Sequence, residues 1–136
     1  MYNPHRTITI GARTQYVVKV SIEDYDFLMQ WKWTFAVSHK GGGLVYARRS
    51  VRSGDQNVTI LMHRLIITER MEIERPSLKH FVDHDNGDSL DNRRRNDRGR
   101  AQLQWLTAKE NMAKQFGHIC RPVVKPAFSP LSDIPF

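Results

Sequence analysis

The alternation of apolar and polar positions predicts short strands in the first half of the chain and a strand, loop, strand and helix in the second. Residues 7–20 are dominated by β-branched and aromatic side chains on either side of Gly11, which predicts two strands joined by a turn. Ser21 stands before a stretch, 22–30, that reads as a short helix. Glu23 and Asp24 fall in its first turn, where carboxylates complement the helix dipole. Beyond it, Trp31, Trp33, Phe35 and Val37 alternate with Lys32 and Thr34, the period of a half-buried strand. Gly41, Gly42 and Gly43 supply a turn. The returning strand over 44–52 places Val45, Ala47 and Val51 on one face and Tyr46, Arg48, Ser50 and Arg52 on the other. A further turn at 53–57 leads into a strand over 58–61. Residues 7–61 are therefore expected to form a small antiparallel sheet with one helix, apolar on its core side and rich in Arg and Tyr on the other.

Spacing over 62–71 is mixed and predicts a helical start at 63–66. Pro76 closes that region, because proline disfavours helical geometry in the residue before it. Residues 80–84 read as a strand, 85–88 as a loop turning on Gly87, and 103–106 as the returning strand. Thr107-Ala108-Lys109-Glu110 has the capping-box pattern and predicts a helix as far as Phe116, with Gly117 placed to end it. The prolines at 122, 126, 130 and 135 then predict an extended arm. The expected fold class is α+β, with a β-rich support region over 1–78, a strand–loop–strand–helix unit over 79–117 and a tail over 118–136.

Composition adds a class of partner. A chain of 136 residues with 40% hydrophobic content can bury the core of one domain. Its 21 Lys and Arg against 14 Asp and Glu give a formal charge of +7, which favours a polyanion such as DNA. Charge alone leaves an ordinary basic soluble protein open. Cys120 is the single cysteine, which excludes an intrachain disulfide or a cysteine-built zinc site and fits a reducing cytoplasm. No apolar signal core lies near residue 1 and no apolar run reaches membrane-spanning length. A cytoplasmic protein without a membrane partner is expected, in a bacterial or phage-infected cell.

Candidate chemistry concentrates in Val82-Asp83-His84-Asp85-Asn86-Gly87-Asp88, in Leu90-Asp91-Asn92-Arg93-Arg94-Arg95-Asn96 and in Glu110-Asn111. Phosphodiester hydrolysis needs a base for water, a cation for the developing charge and help for the leaving oxygen. The imidazole of His84 can accept a proton near neutral pH. Its neighbour Asp83 would point to the opposite face of a regular strand unless the backbone turns there.

Residues 81–111 resemble the HNH endonucleases, in the small phage-type and homing-type branch whose last motif residue is Asn rather than His. That resemblance implies a ββα-metal finger in which Asp83 and Asn111 hold one divalent cation and His84 faces the attacking water. Asn96 would be the middle Asn that fixes the loop and orients the base, and Asn92 would stabilise the loop. Oxygen ligands suit Mg2+ or Mn2+. The implied activity is metal-dependent cutting of DNA, by nicking or by double-strand cutting, with 5′-phosphate and 3′-hydroxyl ends. Double-stranded DNA is the expected partner; a monomer would nick and a homodimer could break both strands. His63 recurs at its place in the family, where packing or loop bracing is a readier role than a second metal site. Residues 20–33 and the Tyr46-Ala47-Arg48 strand resemble, more loosely, the AP2-like sheet domains that precede the finger in some phage proteins. This implies that Tyr46, Arg48, Ser50 and Arg52 face DNA; an ordinary solvated strand face is the alternative.

In the family the middle Asn leads almost at once into the second strand, whereas here residues 97–102 intervene between Asn96 and Leu103. This insertion either lengthens the loop and keeps the frame or adds a phosphate-gripping loop, since Arg98 and Arg100 join Arg93, Arg94 and Arg95. Lys109 completes the set of candidate DNA contacts. An insertion that spoiled the metal site would leave a non-catalytic DNA-binding protein, and a nuclease acting on RNA is a third class. His80 is expected on the strand surface, and His5, His39 and His118 at the periphery. Trp31, Trp33, Phe35 and Trp105 are expected in the core rather than as base-stacking platforms.

Overall fold

The protein is described by a computed structural model over residues 4–38 and 43–120, with side chains through Lys114. Alternation builds the first hairpin. Strands β1 (His5–Ile10) and β2 (Tyr16–Ser21) pair antiparallel, with Ile8 opposite Val18, so that Ile8, Ile10, Val18 and Val20 all turn inward and are buried. The turn needs Gly11, whose φ is 92° and whose added Cβ would clash with the Thr14 carbonyl oxygen. Helix α1 (Ile22–Leu28) is shorter than the 22–30 expected. Ser21 has N-cap geometry, but its hydroxyl accepts the Arg94 N–H at 2.8 Å instead of capping the helix.

Strands β3 (Thr34–Ser38), β4 (Leu44–Ser53) and β5 (Gln56–Leu61) form an antiparallel sheet in the order β3-β4-β5. β3 begins three positions later than the aromatic alternation suggested. Trp31 and Trp33 precede it, meeting edge to face at 6.3 Å, and the Arg49 guanidinium lies 4.3 Å from the Trp31 ring. Trp33 is buried and gives its indole N–H to the Leu28 carbonyl at 2.8 Å; Trp31 and Phe35 are only half-buried. Gly41, Gly42 and His39 lie outside the described residues.

The mixed spacing after β5 has a structural cause. Helix α2 (Met62–Leu65) widens into a π-helical turn over Ile66–Arg70, closed by Met71 N–H to the Ile66 carbonyl at 2.9 Å. Met62, Ile66 and Ile67 are all fully buried there.

Strands β6 (His80–His84) and β8 (Leu103–Thr107) pair antiparallel. Between them, β7 (Asp91–Asn92) pairs parallel with β2, an element the sequence did not announce. Helix α3 (Ala108–Cys120) starts on the expected capping box: Glu110 Oε1 accepts Thr107 N–H at 2.8 Å, and Thr107 Oγ accepts Glu110 N–H at 3.2 Å. It continues through Gly117, since one interior glycine costs only about 1 kcal/mol relative to alanine. The extended arm expected from 118 is therefore helical as far as Cys120, and its remainder lies outside the described residues.

The fold is mixed α+β. One core joins Ile10, Val20 and Met62 to Val82, Leu103 and Trp105, so packing is continuous across the boundary expected between 78 and 79. Among the described residues no helix is long and apolar enough to cross a membrane. Replacing Gly11 by alanine combines a left-handed backbone with a clash and is expected to destabilise by about 1–3 kcal/mol. A urea denaturation midpoint equal to that of the parent would contradict this.

Candidate active site

Three separate elements bring His84, His63 and Tyr46 together. Along β6 the side chains of His80, Val82 and His84 are buried while Phe81 and Asp83 are half-buried, so the strand stays regular through His84 and the Asp-His pair faces two ways. The His84 ring lies 5.0 Å from that of His63, in the first turn of α2, and 6.2 Å from that of Tyr46 on β4. Tyr46 and His63 are 5.4 Å apart. His84 Nε2 lies 2.8 Å from Asn92 Oδ1. With Asn92 Oδ1 as the acceptor, the neutral ring carries its proton on Nε2 and its lone pair on Nδ1; the Asn92 Nδ2 has no partner among the described residues.

Burial lowers the His84 pKa, partly offset by the Asn92 bond and the carboxylates of Asp83, Asp88 and Asp91. His63 is pushed well below its ordinary value by burial, then by His84 and Arg64, and its Nδ1 has no partner among the described residues. Burial raises the Tyr46 pKa, with the charge of Asp83 adding to it.

On the other side of β6, Asp83 Oδ2 accepts from Lys114 Nζ on α3 and from Gln104 Nε2 at 3.2 Å. Lys114 Nζ also lies 3.4 Å from the His84 carbonyl oxygen. Asn111 precedes Lys114 by three positions and so shares its helix face. A carboxylate and a carboxamide are oxygen donors of the kind a hard divalent cation takes, and the Lys114 ammonium already stands as a cation against the carboxylate. Among the described residues no group of three or more His, Cys, Asp or Glu side chains could hold a metal. Lys114 and Gln104 were not anticipated from the sequence; the only signal for Lys114 was its spacing from Asn111.

Residues 85–102 close around Asp91, which is fully buried. Arg93 donates to it through Nε at 2.8 Å and Nη2 at 2.7 Å, and to Asp97 through Nη1 at 2.8 Å. Asn86 donates to Asp91 at 2.9 Å and accepts from Gln102 at 2.7 Å. Burial opposes ionisation of Asp91, but the bonds from Arg93 and Asn86 outweigh it and hold its pKa below the ordinary value.

Asn96 donates to Asp85 at 2.8 Å and to Gln102 at 3.0 Å, and its oxygen accepts the N–H groups of Arg98 and Arg100 at 3.0 and 3.3 Å. Asn96 thus fixes the loop, whereas the partner of His84 is Asn92, the residue expected only to brace it. The inserted residues turn back on Asn96, with Asn96 N–H bonded to the Arg100 carbonyl at 2.9 Å. β8 still meets β6 in register, Leu103 opposite His84 and Gln104 opposite Asp83.

The arginine run divides. Arg93 is 2% exposed and committed to carboxylates, so it is not a phosphate contact; a buried Asp91 requires it. Arg94 is held by the buried Asp24 at 2.7 Å and by Glu23 at 3.2 Å, and belongs with the structural arginines. Arg95 donates to the Gly99 carbonyl at 3.0 Å, and Arg100 pairs with Asp85 at 3.1 Å while remaining largely exposed. Arg98 and Lys109 are exposed. On β4, Arg48 reaches Thr59 at 3.4 Å and Arg52 the Gly54 carbonyl at 3.2 Å. Alternation puts them on the Tyr46 face, which begins at the histidine pair. His80 is buried rather than on the surface, bonded to Ser77 at 2.8 Å.

No family model, curated protein or solved structure matches the chain, so the functional reading rests on these residues.

Arg93→Met leaves the buried Asp91 charge unpaired and is expected to destabilise by about 3–5 kcal/mol. Unchanged stability with weakened DNA binding would instead make Arg93 a phosphate contact. His63 supplies a pH dependence. With its folded pKa below the ordinary 6.5, its contribution to stability is complete above 6.5 and is lost as pH falls toward the lowered value, where only the unfolded chain takes the proton. His63→Phe removes this term, up to about 1.4 kcal/mol per pH unit. Denaturation at pH 7 and pH 5 should show a smaller acid loss in the variant; equal losses would contradict it.

Proposed function

We propose that the chain is a metal-dependent endonuclease of the HNH type that hydrolyses phosphodiester bonds in double-stranded DNA. The observation that carries this reading is the neutral His84 imidazole, fixed through Nε2 by Asn92 so that Nδ1 is free to accept a proton. His84 Nδ1 takes the proton of a water as its oxygen attacks phosphorus, the bond to the 3′ oxygen breaks, and that oxygen takes a proton from solvent, leaving 5′-phosphate and 3′-hydroxyl ends. Asn92 holds the ring against rotation and stabilises the imidazolium that forms. Asp83 and the carboxamide oxygen of Asn111 would hold the cation; the Asp83 and His84 side chains leave opposite sides of β6, so the scissile phosphate would lie across the end of that strand, between them. A divalent cation bound there supplies positive charge to the phosphate oxygens.

Arg98, Arg100 and Lys109 are the exposed cations best placed by sequence to grip the DNA backbone, and the formal charge of +7 supports that partner. Such a substrate puts the work in the cytoplasm. The Lys114 contact on Asp83 favours a second reading, a non-catalytic DNA-binding protein whose carboxylate is already neutralised.

Incubation with supercoiled plasmid in Mg2+, Mn2+ or EDTA, beside His84→Ala, separates the two. Metal-dependent nicked circles are expected, reduced about 10²–10⁴-fold by His84→Ala with DNA binding retained. Intact plasmid with a retarded band would favour the binding protein.

A further inference from the structure

We propose that Lys114 is a built-in competitor for the divalent cation at Asp83, so that metal loads only when the lysine leaves the carboxylate. This inference rests on the metal site proposed above. The ammonium takes a cation's position: Nζ donates to Asp83 Oδ2 and lies 3.4 Å from the His84 carbonyl, two oxygens at the end of β6. Lys114 and Gln104 both donate to Oδ2, Gln104 at 3.2 Å, which leaves Oδ1 as the oxygen an incoming cation would meet. A cation at Oδ1 and an ammonium at Oδ2 of one carboxylate repel each other, and the Asp83 side chain is only 12% exposed, which leaves little water to screen them.

Lys114 is also able to leave. Its side chain is 32% exposed and its flexible stem has a route to solvent, while α3 stays anchored by the capping box at Thr107 and Glu110. The arrangement has two states, Asp83 paired with lysine or Asp83 open to metal. Apparent metal affinity is the intrinsic affinity reduced by the open fraction.

The test is Mn2+ binding to the full chain without DNA, by titration calorimetry. Lys114→Met and Lys114→Gln should bind about tenfold tighter or more than the parent. Lys114→Arg should bind as weakly as the parent. Lys32→Met, an exposed lysine before β3, controls for net charge and should leave affinity unchanged. Asp83→Asn should abolish binding in the Lys114→Met background, which localises the effect. Equal Mn2+ affinity in the parent, Lys114→Met and Lys114→Gln, with plasmid still cut, would overturn the competitor and leave the nuclease standing. Absence of Mn2+ binding in every variant would overturn both.

Discussion

The buried Asp91 carboxylate constrains more of this molecule than any other group. An ionised carboxylate removed from water must be fully engaged, and Asp91 is engaged by the Arg93 fork and by the Asn86 carboxamide. Satisfying it draws both ends of the 85–102 segment inward, because Asn86 precedes Asp91 while Gln102, bonded to Asn86 and to the Asp91 carbonyl, follows it. The next residue, Asn92, is thereby set against His84 on one side and against β2 on the other. Ser89 adds a bond to the Val45 carbonyl on β4. One charge requirement thus joins the N-terminal strands to the β6–β8 pair and fixes the tautomer of the candidate base.

The regularity of β6 then distributes chemistry over two sides. His84 is buried beside the His63 and Tyr46 rings, where burial lowers its pKa, while Asp83 faces α3, where a carboxylate can meet a cation. The sides remain electrostatically linked, since the Asp83 charge is felt at both His84 and Tyr46. A change in what neutralises Asp83 would therefore reach the imidazole without any movement of the ring.

Legibility in the sequence followed the range of the interaction. Strand alternation at β6, the hairpin around Gly11 and the Thr107–Glu110 capping box are local, and each formed where its pattern lies. β7 has only two residues, too short for a period, and exists because Asp91 is drawn against β2. Asn92 and Asn96 are four positions apart and chemically identical, so their division of labour depended on how the inserted residues folded; they folded onto Asn96. The partner of Arg94 is Asp24, seventy positions away, which no local pattern announces.

That last point changes the meaning of the basic run. Five arginines between 93 and 100 read as one phosphate-gripping patch, but charge available to a partner is charge not already engaged and desolvated. Arg93 and Arg94 are committed to Asp91, Asp97, Asp24 and Glu23, and their charge is largely cancelled within the fold. Arg98 and the exposed guanidinium of Arg100 remain at the loop, with Lys109 at the start of α3. The basic surface that a polyanion would meet is thus smaller than the sequence suggests. It is carried by the inserted loop beside Asp85 and Asn96 and, at the His80 end of β6, by the start of α3, while the first two arginines of the run hold the frame on which that loop is built.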